Sequence, residues 1–239
     1  MGEFFSWHRV VHNFPILIKK LPVTFEIVAV AFVLGFILAL LIATARIKKI
    51  PVLNQILSVF VSFERGTPLL VQMLVVYYAL PLLLEALFDL DTRRWGKIIF
   101  VDLALILNQG VFLGEIFRGA ITSIPKGQRE AAISCGMTEF SAFVKIVLPQ
   151  AVRVALPATG LNLIGLFQET SLVFMIGVMD IIGRASALGA TSGHSLESYL
   201  IIAVIFLSIN LVLTTITTKV SKKLSYGSAS IKQAISKRG

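Results

Sequence analysis

Apolar residues run along this chain in five long blocks, each separated from the next by a short polar stretch. The first block, 23–45, carries one acid near its start, Glu26, and then no charge until Arg46. At about 1.5 Å of rise per residue, a helix of that length crosses a hydrocarbon core of about 30 Å. The blocks at 54–84, 98–117, 154–178 and 198–218 are of the same kind. The pattern predicts an all-α integral membrane protein with five transmembrane helices.

The blocks differ in detail. Gly35, Ala39 and Ala43 recur every four residues in the first, a small-residue stripe that lets a second helix approach closely. Gly110 and Gly114 make a similar face in the third. The second block opens with 54–63, a half-span or interfacial helix, and is interrupted at Glu64-Arg65-Gly66-Thr67-Pro68, where Gly and Pro this close break or kink a helix. The third block holds Asp102, Asn108, Gln109 and Glu115, so lipid cannot surround it on all sides. The fourth is the most polar, with Pro157, Gly160, Asn162, Gly165, Gln168, Glu169 and Thr170. The fifth has no charge at all. Residues 179–197 read as a short Gly/Ser/Ala-rich connection. A basic tail follows the fifth block, with Lys219, Lys222, Lys223, Lys232, Lys237 and Arg238.

Composition agrees with this class. The chain of 239 residues is 56% hydrophobic and 15% charged, against about 25% charged for soluble domains, and its mean hydropathy is +0.86. The net charge of +9 falls mostly in loops and tail, where it sets orientation rather than marking a nucleic-acid ligand. With the C-terminus inside, segments 46–65, 118–153 and 219–239 hold 15 Lys and Arg, and the outer segments 7. The expected topology is N-terminus out, C-terminus in. No GxxxxGK[ST] stretch is present, so nucleotide chemistry belongs to another chain. The histidines His8, His12 and His194 have neither cysteine partners nor an HExxH pattern, and no metal site is expected. Cys135 is the single cysteine and is read as a small buried apolar residue. The start of the chain lacks the uninterrupted apolar core of a signal peptide, and its M-G-x-x-x-S match is taken as chance.

The polar island 123–149 lands in the cytoplasm. Glu130-Ala131-Ala132 favours a helix, Gly136 breaks it, and Thr138 caps a second helical piece with Ser141 in its first turn. Phe140, Phe143 and Val144 give that piece an apolar face suited to a groove in another protein. Pro149 and Pro157 are expected to stop and restart the chain before the fourth span.

These residues carry a resemblance. Glu130-Ala131-Ala132, three residues, Gly136, nine residues, Ile146, one residue, Leu148-Pro149 matches the EAA loop of binding-protein-dependent ABC importer permeases at every consensus position. RGTPLLVQ at 65–72, EIFRGAITSIPKGQ at 115–128 and ETSLVFMIGV at 169–178 resemble the polar amino acid uptake branch, whose members serve histidine, glutamine, arginine or cystine. The resemblance covers roughly 20–220. It implies a type I ABC importer permease fold in a single domain, 1–239, placed multi-pass in the bacterial cytoplasmic (inner) membrane. It implies an ABC ATPase dimer inside that binds ATP and Mg, a second permease chain, identical or not, and an extracytoplasmic substrate-binding protein. No cofactor belongs to this chain and it is not itself an enzyme. The implied ATPase-coupling residues are Glu130, Ala131, Ala132, Gly136, Met137, Thr138, Phe140 and Phe143.

The resemblance also implies a substrate cavity near mid-membrane, reached by alternating access. The candidates are Asn162 foremost, with Thr67, Gln72, Glu115, Gln168, Glu169 and Thr170. The usual Gly-Asn pair reads Gly160-Leu161 here, and Gln168 stands where Lys is common. VMDIIGRASALGA at 178–190 resembles cystine-transporting members, so a neutral polar substrate, cystine first, is expected. The alternative class is a stand-alone channel or secondary carrier; against the latter, no internal repeat is found and the span count is odd.

Several polar residues have plain structural readings. Glu26 and Asp102 sit near outer span ends. Glu115 and Arg118 are spaced to pair at i, i+3. Arg65 is read as capping the break or pairing with Glu64 or Glu169. Tyr77 and Tyr78 read as packing or interface-belt residues.

Overall fold

In the computed structural model, residues 5–236 are described, with side chains through residue 224. Residues 1–4, Lys237, Arg238 and the side chain of Lys232 lie outside the described residues. Among the described residues, five helices are long and apolar enough to cross a bilayer. A first helix, α1 (Trp7–Ile18), precedes the spans. It was not expected from the sequence, because its 12 residues are too few to cross and its apolar positions alternate with histidines. Then come α2 (Leu21–Ile47), α3 (Leu53–Gly66), α4 (Leu69–Phe88) and α5 (Lys97–Thr122).

The most extensive helix packing in the described chain is α2 on α5. The small-residue stripes make it possible. Gly35 of α2 lies so near α5 that an added Cβ would sit 2.7 Å from the Cβ of Gln109. From the other side, an added Cβ on Gly110 would collide with the Leu38 side chain. Ala31, Ala39 and Ala104 are fully or almost fully buried in this contact region, and Leu105, Leu166, Phe167 and Met73 extend it towards the other spans. Dispersion contacts at this spacing supply the adhesion that water cannot drive inside lipid.

The second block is divided as its Gly and Pro foretold. α3 ends at Gly66, Thr67 is extended (φ −118°, ψ 147°), and α4 restarts after Pro68. The island forms α6 (Lys126–Ser134) and α7 (Glu139–Ala142) on either side of Gly136, whose φ of +86° is the left-handed geometry that glycine adopts without steric cost. Thr138 Oγ1 accepts the Ser141 N–H at 3.2 Å, the cap read from the sequence.

Three expectations are corrected. Pro149 and Pro157 do not stop the chain. From Glu139 to Ile176 it is one continuous helical element, comprising α7, a π turn (Phe143–Val147), α8 (Leu148–Glu169) and a final 3₁₀ stretch (Thr170–Ile176). Proline clashes with the preceding turn and lacks an N–H. Here Pro149 sits in the first turn of α8, and the widened π turn before it absorbs the misfit, with Leu148 N–H bonding the Phe143 carbonyl. The Gln150 side-chain amide adds a bond to the Ile146 carbonyl at 2.7 Å. Secondly, 179–197 is no simple connection. It contains α9 (Ile181–Ser192), whose Ile181 and Ala185 are fully buried against Leu17, Ile201 and Ile202. Its small residues serve close packing rather than looseness. Thirdly, Cys135 is exposed, because it falls in the turn that ends α6. The last helix, α10 (Leu196–Ser236), extends well beyond the expected fifth span.

The α2–α5 contact yields a direct test. Gly35→Ala puts a methyl group into occupied space and should destabilise the purified chain by about 1–3 kcal/mol, read as a lower midpoint of thermal unfolding in detergent. Gly119→Ala, where nothing lies within 4 Å of the new Cβ, should leave the midpoint unchanged or raise it.

Candidate functional site

The break between α3 and α4 is closed by a buried polar knot. Pro68 has no N–H, so the Glu64 carbonyl one turn earlier loses its normal helical donor. Gln72 replaces it. Its Nε2 donates to the Glu64 carbonyl at 2.7 Å and to the Thr67 carbonyl at 3.0 Å, and its Oε1 accepts from Asn108 Nδ2 of α5 at 2.9 Å. Thr67 Oγ1 donates back to the Phe63 carbonyl at 2.8 Å. Two expected substrate contacts, Thr67 and Gln72, are thus both engaged with the protein's own backbone. From sequence, Asn108 is no more than one polar residue in a span. The signal for the knot is an amide side chain one turn beyond a proline that strands a carbonyl.

Glu115 is also engaged. Arg118 Nη2 donates to its Oε2 at 2.8 Å, the i, i+3 pair expected. Arg46, at the end of α2, pairs with its other oxygen. That second pair joins residues 69 apart, and no local pattern announces it. Arg65 forms no ion pair with Glu64 or Glu169 among the described residues; it lines, with Arg46, Ser58, Ser62 and Glu115, an open hollow of about 450 Å³. The excess of arginine over carboxylate leaves this hollow positive.

α8 presents a different situation. Asn162 Oδ1 and Glu169 Oε2 are buried and have no partner among the described residues, as is also true of Glu64 Oε2 and Asn108 Oδ1 in the packed knot. They stand seven residues apart, two turns along one helix face. Between them, the space beside Gly165 is open, with no atom within 4 Å of where a Cβ would be. Gln168 points from a neighbouring face into a hollow between α8 and α10 lined by Phe167, Phe206 and Asn210. Thr170 is fully buried and donates to the Phe167 carbonyl at 2.7 Å. The candidate substrate set therefore divides: Thr67, Gln72 and Glu115 link helices and Thr170 bonds the turn before it, whereas Asn162 and Glu169 carry unpartnered acceptor oxygens on one face.

The other candidate site is the knuckle formed by α6 and α7. Arg129 and Glu139 pair across the Gly136 turn, and Gln150 bonds Gln128, so the two short helices are fixed to each other and to α8. Glu130, Ala131, Gly136, Thr138 and Phe140 are exposed, Phe140 at 77%. Ala132 is buried, and Met137 and Phe143 are half-buried beneath them. An exposed aromatic of this size on a rigid turn is what a receiving groove requires. Outside the spans, Asp180 caps α9 by accepting the Gly183 N–H at 2.8 Å. Burial pushes its carboxyl above the usual range, outweighing the bonds from backbone N–H groups.

Residues 16–226 match the family model described as "Binding-protein-dependent transport system inner membrane component". The chain is 38% identical over 201 residues to the probable amino-acid permease protein YxeN of Bacillus subtilis (strain 168), spanning 84% of this chain and 88% of that one. It is 38% identical over 209 residues to the L-cystine transport system permease protein TcyL of the same organism, spanning 87% of each. The fold resembles a chain in a crystal structure of an amino acid ABC transporter with histidines, at a TM-score of 0.81 and 28% identity, covering 92% of this chain and 99% of that one.

The knot at the α3–α4 break has a measurable role. Gln72→Leu keeps the side chain's bulk and strands two carbonyls and the Asn108 amide. Buried groups left unpaired cost about 1–3 kcal/mol each, so the variant should unfold at markedly lower temperature than the parent in detergent, while Thr67→Val, which loses the bond to Phe63 and one of three acceptors of Gln72 Nε2 but strands neither Gln72 nor Asn108, should fall much less.

Proposed function

Because this chain belongs to the inner membrane components of binding-protein-dependent transport, and so is a non-catalytic permease subunit of a bacterial amino acid ABC importer, we propose that it carries a polar amino acid, cystine first, past the face of α8 that bears Asn162 and Glu169. One observation carries this reading: two buried acceptor oxygens without partners flank the open space at Gly165. A buried unsatisfied acceptor is costly, and an ammonium group is the complement of such a pair. Cystine offers two ammonium groups around an apolar disulfide. The likeness to the cystine permease TcyL supports that choice, as does the 178–190 stretch. Gln168 lies beside this face as a further contact, with Thr67, Gln72, Glu115 and Thr170 holding the frame around it.

The chain works as one of a pair of permeases, with α1 outside and the α6–α7 knuckle inside. An ATPase dimer takes Phe140 and its exposed neighbours Glu130, Ala131, Gly136 and Thr138 into a cleft, and a binding protein delivers substrate from outside. The helix from Glu139 to Ile176 is continuous, so a displacement of the knuckle is carried to Asn162 and Glu169 without a joint between them. Alternating access follows from tilting that lever against the α2–α5 contact.

The test is uptake by the assembled transporter in proteoliposomes, competed by each of the twenty amino acids and by cystine. Cystine should compete most strongly, and Glu169→Gln should lower uptake at least about tenfold, a loss of about 1.4 kcal/mol or more, with assembly and basal ATP hydrolysis retained. Stronger competition by glutamine, arginine or histidine removes cystine as the substrate. Unchanged uptake by the Glu169 variant removes the α8 face as the site.

A further inference from the structure

Most of α1 falls into three lengthwise sectors, with the half-buried Arg9 and Ile16 on the remaining side. Successive residues turn by about 100° round a helix. Val10, Asn13 and Leu17 form the sector against the protein. Leu17 is fully buried with Ile181, Ala185, Ile201 and Ile202, and Asn13 Nδ2 donates to Ser198 Oγ at 3.1 Å. Just before α1, the Ser6 N–H donates to Glu197 at 3.0 Å. About 100° round lies a second sector, Trp7, Val11, Phe14 and Ile18, spaced four, three and four residues apart. These large apolar side chains are 74%, 72%, 45% and 40% exposed. A further 100° on lies the third sector, His8, His12, Pro15 and Lys19, polar apart from the proline and also exposed.

We propose that α1 lies in the plane of the bilayer interface, its Trp7–Val11–Phe14–Ile18 stripe seated among the lipid acyl chains at headgroup depth, its histidine stripe in water. Three features select lipid over a protein partner. The apolar stripe stands between a protein-packed sector and a wet one, as a helix lying in an interface requires. Trp7, held edge-on to Phe5 with ring centroids 5.1 Å apart, ends the stripe in the manner of interface-belt aromatics. The stripe also runs directly into the membrane surface: only Lys19 and Lys20 separate α1 from α2, whose exposed Phe25, Val33, Ile37 and Leu41 belong to a membrane span. Those two lysines stand where phosphate groups lie. The leaflet, by the charge-based orientation, is the outer one.

The consequence reaches α9 and α10. Because Ser6, Asn13 and Leu17 hold the first turns of α10 and the buried face of α9, an interfacial α1 fixes the depth of both helix ends. The outer end of the bundle is then moored to the lipid surface rather than free to move along the membrane normal.

The test uses the assembled transporter in liposomes. With Cys135→Ser as background, single variants Val11→Cys, Phe14→Cys and His12→Cys are spin-labelled before assembly, and collision with molecular oxygen is compared with collision with a water-soluble nickel chelate. Labels at 11 and 14 should show oxygen accessibility several-fold above nickel accessibility, and the label at 12 the reverse. Low accessibility to both reagents at 11 and 14 would mean that a protein partner covers the stripe, and high nickel accessibility there that it faces water; either result overturns the proposal. Trp7 emission in a Trp95→Phe chain reconstituted alone gives a reading free of label: quenching by lipids brominated near the headgroup supports the interface, and quenching by acrylamide but not by those lipids overturns it.

Discussion

Inside hydrocarbon, a helix gains nothing from hiding apolar surface, and every polar group needs a partner within the protein. The α2–α5 contact answers the first condition by bringing two backbones as close as glycine and alanine allow. The Gln72 knot answers the second, by returning donors to carbonyls stranded by Pro68. Together they join α2, α3, α4 and α5 into one packed frame. Arg46 and Arg118, converging on Glu115, extend the same frame to the end of α2.

Against that frame lies a long element of another character. The helix from Glu139 to Ile176 contains two prolines and Gly160 and Gly165, and yet it is continuous. The π turn stores the irregularity at one place, next to the knuckle. The polar face of α8 keeps two buried acceptor oxygens unpaired beside open space at Gly165, whereas the unpaired oxygens of Glu64, Asn108 and Gln109 lie within the packed frame. In the proposed reading the working parts share this helix: an exposed Phe140 at one end, and the unpartnered oxygens of Asn162 and Glu169 further along.

The sequence made some of this plain and hid the rest, for physical reasons. The five spans follow from length and hydropathy, and the close contact from the four-residue spacing of Gly35, Ala39 and Ala43. The Gly136 turn and the Thr138 cap are local, so local residues announce them. α9 looks like a connection in sequence because Gly, Ala and Ser suit loops and tight packing alike. α1 is hidden in the sequence because its apolar stripe is short and His8, Arg9, His12 and Asn13 fall between the stripe residues along the chain. Polar residues in the spans are the hardest to tell apart from sequence. Gln72 and Asn162 look equivalent in a sequence, and only geometry distinguishes a side chain that repairs a backbone from one with an oxygen left over. Pro149 was misjudged because the strain a proline imposes is absorbed by a widened turn that no residue type advertises.

The central claim is that the knuckle and the substrate face move as one body. Spin labels at positions 139 and 168 lie 29 residues apart on that helix, about 44 Å at helical rise. Their separation is measured in the assembled transporter, first without nucleotide and then with the ATPase dimer locked closed on ATP. A rigid lever predicts one narrow distance distribution, unchanged between the two states. A shift of about one helical turn or more (~5 Å), or a distribution that broadens on closure, would place a joint at Pro149 or Pro157 and contradict the account.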